Sequence, residues 1–122
     1  MDDEYVSGLL GWFQGDAVAS EDGAFLDVEG TYCIYTQRLT REQSAALESI
    51  LRGLPGFIEG SSNPPWDYVF HGDDDEVAPY LEAWFEPSGI VIRGKLTAAQ
   101  WEAWDEAFRR RVDEAALPRF HE

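Results

Sequence analysis

Apolar residues recur along this chain with two different spacings, and the spacing changes where the backbone should change. In "YLEAWFEPSGIVIRGKL", residues 80–96, apolar and polar positions alternate on both sides of Pro87-Ser88, which is the period of a half-buried strand. A two-residue loop there sets Phe85 opposite Ile90, Ala83 opposite Ile92 and Leu81 opposite Gly94, so that one face is wholly apolar or small. The other face then holds Trp84 with Val91, Glu82 with Arg93 and Tyr80 with Lys95. A type I turn with a Gly bulge at Pro-Ser-Gly would shift the pairing by one residue and mix the faces. "AFLDVEGTYCIYTQ", beginning at Ala24, reads as a second hairpin turning at Glu29-Gly30. In the intervening segment Trp66, Tyr68 and Phe70 alternate with Asp67, Val69 and His71, a further strand with one aromatic face.

Elsewhere the spacing is three and four. Leu47, Ile50, Leu51 and Leu54 form one helical stripe, and Trp101, Trp104, Phe108, Val112 and Ala115 form another. Each follows a capping box: in "RLTREQ" and "KLTAAQ", Thr40 and Thr97 accept from the backbone three residues on, while Gln43 and Gln100 reach back. The first helix should end at Gly53, in a left-handed conformation, with Pro55 blocking its continuation. On the second, Asp105–Arg109 and Glu106–Arg110 read as i,i+4 pairs on the solvent side, and Arg111 is left to approach another acidic element. Tyr5, Val6, Leu9, Leu10 and Phe13 predict a short N-terminal helix ending at Gly15, weakened by Gly8 and Gly11, that lids the core.

An offset of 57 aligns the two capping boxes and pairs Cys33-Ile34-Tyr35 with Ile90-Val91-Ile92, which suggests two degenerate hairpin–helix units, 24–54 and 80–116, inside a single domain spanning 1–122. Independent use of a good helix start explains the same match. The fold class expected is α+β: a two-layer sandwich in which an antiparallel sheet of about five strands carries two main helices on one face. The other face must meet water, the N-terminal helix or a partner.

The 122 residues include 44% hydrophobic and 14% aromatic side chains, so the acidity sits on a folded body and not on a disordered tail. With 24 Asp and Glu against 9 Lys and Arg, the net charge of −15 argues against nucleic-acid and anionic-membrane binding, since both need positive charge. Such a field attracts a basic protein, a cationic ligand or a divalent ion. Eight of the nine basic residues are Arg, a bias that GC-rich codons or a salt-adapted cytoplasm would also produce. The single cysteine, Cys33, excludes an intrachain disulfide and fits a reducing compartment; with no apolar run near ~20 residues, the expectation is a cytoplasmic protein.

"HGDDDE", His71 to Glu76, is the densest candidate for chemistry. It has neither the length nor the spacing of a calcium loop, and a run of acids commonly forms a solvated loop. His71 and His121 both read as exposed, and Cys33 reads as a buried small residue rather than a nucleophile. No phosphate-binding glycine loop, zinc-protease helix or nucleophile elbow occurs, so no cofactor, metal or catalytic residue is expected.

The leading expectation is a non-enzymatic protein that binds a basic protein partner, as an inhibitor or immunity protein of a toxin or nuclease does. The residues expected to carry it are Tyr80, Glu82, Trp84 and Glu86 on a strand face, with Asp73, Asp74, Asp75 and Glu76 in the loop. The alternatives are a small-ligand or divalent-metal enzyme built on the His71–Glu76 loop, and a generic acidic domain from a salt-adapted cell. The sequence leaves the oligomeric state open, with pairing of two copies through the exposed sheet face as one option.

Overall fold

Alternating residues in 80–96 do form a hairpin with the two-residue loop. The computed structural model describes residues 13–19, 23–59, 68–72 and 77–117, and in it β4 (Tyr80–Glu86) and β5 (Gly89–Leu96) pair with the predicted register, Phe85 against Ile90 and Glu82 against Arg93. Gly89 sits at φ +140°, and a Cβ there would lie 1.9 Å from the Tyr32 carbonyl oxygen, so the residue leaving the turn has to be glycine. The unbroken pairing from Tyr80–Lys95 to Glu86–Gly89 excludes the bulged alternative.

Preceding this hairpin in sequence, β1 (Phe13–Ala19), β2 (Leu26–Tyr32) and β3 (Tyr68–Phe70) complete a five-stranded antiparallel sheet in the order β1-β2-β5-β4-β3. The turn expected at Glu29-Gly30 does not exist. Both residues lie inside β2, which pairs along its whole length with β1 on one side and β5 on the other. Gly30 is there for packing: the Phe13 ring occupies the space a side chain would need, with its Cζ 2.5 Å from an ideal Cβ. Phe13 and Gly15, the expected end of the N-terminal helix, belong to β1, and the rest of that stripe, residues 1–12, lies outside the described residues.

Both capping boxes form. In α1 (Arg41–Arg52) the Gln43 N–H donates to Thr40 Oγ1 at 3.0 Å and the Thr40 N–H donates to Gln43 Oε1 at 2.9 Å, and Thr97 with Gln100 repeats this at the start of α2 (Ala98–Glu114). The approaches differ, since β5 runs almost directly into α2, while a 3-10 turn at Thr36–Arg38 separates β2 from α1. Gly53 ends α1 at φ −99° rather than in the left-handed region, its N–H donating to the carbonyls of Ser49 and Ile50. The positive φ expected there appears three residues later, at Gly56.

The helices bury the inward sheet face. Val28, Tyr32, Leu81, Ala83, Ile90, Ile92 and Leu96 meet Leu47, Leu51, Trp104, Phe108 and Val112 in one continuous core that also encloses Cys33. Trp104 lies at its centre, its ring centroid 5.3 Å from those of Phe70 and Phe108 and 6.0 Å from that of Tyr32. No helix among the described residues is long and apolar enough to cross a membrane.

Candidate functional site

Because side chains alternate across a strand, burying Leu81, Ala83 and Phe85 turns Tyr80, Glu82, Trp84 and Glu86 to the face that the helices leave uncovered. The register assigns their neighbours. One row across the sheet reads Asp16, Glu29, Arg93, Glu82, Val69; a second reads Val18, Asp27, Lys95, Tyr80; a third reads Gln14, Thr31, Val91, Trp84. Among the described residues, Asp16, Asp27, Glu29, Glu82 and Glu86 thus share this face with two cations, Arg93 and Lys95.

Those cations are engaged. Arg93 donates to Glu82 Oε2 at 3.0 Å, Lys95 Nζ lies 3.1 Å from Asp27 Oδ1, and the hydrogen bond and charge of Glu82, then Glu29, hold the Arg93 guanidinium above its usual range. Trp84 is also engaged rather than free. Its Nε1–H donates to Glu86 Oε2 at 2.8 Å, and the Arg93 guanidinium lies 5.9 Å from its ring centroid. Asp16 and Glu29 are carboxylates directly opposite one another on β1 and β2, an arrangement that costs stability, and among the described residues the cation in register beside them is Arg93, next to Glu29 and hydrogen-bonded to Glu82. They line an open depression of about 360 Å³ together with Asp27, Tyr80, Arg93 and Lys95. Asp16 and Glu29 escaped the sequence reading because strand alternation alone does not tell which strands flank β5.

Asp73, Asp74, Asp75 and Glu76 lie outside the described residues, so the loop half of the expected site is not placed. Its neighbour His71 is not the exposed residue anticipated. It adopts φ +70°, its ring packs on Gly56, where a Cβ would come within 2.7 Å of it, and burial lowers its pKa from 6.5. Among the described residues no group of three or more His, Cys, Asp or Glu is gathered closely enough to hold a metal ion.

A second polar constellation lies on the opposite side of the sheet. Arg109 and Asp105, expected to face solvent, turn inward against β2: Arg109 is 8% exposed and its Nε donates to Asp105 Oδ1 at 2.8 Å. The Tyr32 hydroxyl donates to the same carboxylate oxygen. The guanidinium lies 5.5 Å from the Tyr32 ring centroid and 5.8 Å from that of Phe13, so two aromatic rings and the Asp105 carboxylate lie against its charge. Arg110 pairs with Glu106 as expected, at 2.8 Å. Arg111 is paired with no acidic side chain among the described residues; its Nη1 donates to the Gly53 carbonyl at 3.0 Å, at the negative end of the α1 dipole.

No protein-family model, curated protein or solved structure matches this chain. The site therefore has to be read from its own chemistry.

Proposed function

We propose that this protein is a non-enzymatic binding protein whose uncovered sheet face receives a basic protein surface. The observation that carries the reading is the juxtaposition of Asp16 and Glu29, two carboxylates side by side on the exposed face whose flanking cation among the described residues, Arg93, is shared with Glu82. Like charges set directly opposite on a sheet destabilise it by a few tenths of a kcal/mol or more, and an incoming Lys or Arg would offset that cost. Glu82 and Glu86 extend the acidic surface, while Tyr80 and Trp84 supply flat contact area, that of Trp84 already held in position by Glu86 and Arg93. A partner that normally grips phosphate, such as a nuclease or a toxin acting on nucleic acid, presents the complementary chemistry, and carboxylates at those positions would occupy its anion site.

Pulldown from native lysate at low and high salt tests this. A basic protein should be retained at low salt, released at high salt, and lost with Asp16→Lys/Glu29→Lys while near-UV circular dichroism shows an unchanged fold. Retention that survives the charge reversal would overturn the reading. So would a divalent-ion thermal shift abolished by Asp73→Ala and Asp75→Ala, which would transfer the function to the acidic loop.

A further inference from the structure

The two edges of the sheet are finished differently. At one, β3 is covered by the preceding chain: Phe57 bridges to Phe70, the Ile58 N–H donates to the Val69 carbonyl at 2.9 Å, and the His71 N–H donates to the Gly56 carbonyl at 2.7 Å. At the other, β1 pairs with β2 along all seven of its residues and meets no further strand among the described residues. An antiparallel strand directs alternate N–H and C=O groups away from its neighbour, so β1 presents a row of backbone groups roughly 20 Å long that no strand among the described residues pairs.

Edge strands are usually blunted by brevity, by Lys or Pro, or by a bulge. Covered β3 has three residues. Open β1, "FQGDAVA", has seven, with no Lys, Arg or Pro, an unbroken register against β2, and Val18 55% exposed. Asp16 is its one charge. A strand added there would set its outward side chains beside Gln14, Asp16 and Val18, with Asp27 and Glu29 one strand further in. A second copy of this chain is a poor occupant, because it would bring another net charge of −15 against the same acidic face.

The geometry points to the open edge of β1 as the docking site of a β-strand from a basic protein, which joins the sheet as a sixth strand and places Lys or Arg beside Asp16. This inference rests on the reading of the acidic face as a partner surface and specifies how contact is made: backbone hydrogen bonds supply affinity and the carboxylates select the partner's charge.

The test uses the full chain, isotope-labelled, with three synthetic peptides of about nine residues: alternating Lys and Val, alternating Glu and Val, and the Lys–Val peptide with a central Pro. The expected result is that the Lys–Val peptide slows amide exchange in β1 by at least about tenfold, that the other two do not, and that Asp16→Lys weakens its binding by about tenfold or more. Binding that shifts the Trp84 and Arg93 side-chain signals without protecting β1 would overturn the edge site and leave the acidic-face reading standing. Peptide binding at neither place would overturn both. A concentration-dependent dimer with β1 amides already protected would assign the edge to a second copy and also defeat the inference.

Discussion

Asp105 accepts from both the buried Arg109 and the buried Tyr32, which makes it a residue where the core is sensitive to chemistry. Asp105→Ala removes a carboxylate from a buried guanidinium packed against two aromatic rings, and urea unfolding should show a loss of about 3 kcal/mol, against about 1 kcal/mol for Tyr32→Phe, which removes a single hydroxyl. The pH dependence follows from the same contact. Burial first, and then the Asp105 charge, raise the Tyr32 pKa well above its ordinary 10.0, so folding favours the neutral phenol. That contribution is fully present below pH 10, and it is lost as pH rises from there through the folded-state pKa, because the unfolded chain gives up its proton first. Stability should therefore decline above pH 10, and less steeply in Tyr32→Phe. Tyr68, raised in the same direction chiefly by burial, keeps part of the slope. None of this was legible in the sequence, where Asp105 and Arg109 formed an ordinary i,i+4 pair. That spacing says two side chains meet; it does not say whether they meet in water or against a neighbouring strand.

Local rules held best where an element closes on itself. The capping boxes and the β4–β5 register involve residues three apart or across a two-residue loop, and both appear as the pattern required. Thr40→Ala and Thr97→Ala should each cost about 1 kcal/mol in thermal or urea unfolding, with the backbone N–H of Gln43 or Gln100 losing its acceptor. The misreadings arose where long-range neighbours decide. Gly30 resembles a turn residue until Phe13 is known to lie over it, and "FQGDAVA" carries too few β-branched residues to announce a strand that β2 nevertheless recruits. The site divides in the same way. Tyr80, Glu82, Trp84 and Glu86 could be assigned to one face from alternation, whereas Asp16 and Glu29 acquired significance only when β1 and β2 took their places beside β5.

Across the whole molecule, charge works against the fold. With a net charge of −15, carboxylates repel one another over distances that ions screen, so the melting temperature should climb as sodium chloride is added. Asp16→Asn should raise it modestly at low salt, by the equivalent of about 0.5 kcal/mol, since Glu29 is its cross-strand neighbour; the gain should fade at high salt, as scanning calorimetry can establish. A variant that melts higher yet holds a basic partner less tightly would show surface repulsion retained for recognition at some expense in stability. The closure of the β3 side by residues 56–58 bears on stoichiometry. With that end covered, the ladder can lengthen beside β1 alone, so a partner whose added strand is itself the covered edge of a folded protein would leave no backbone row on which open-ended stacking could continue.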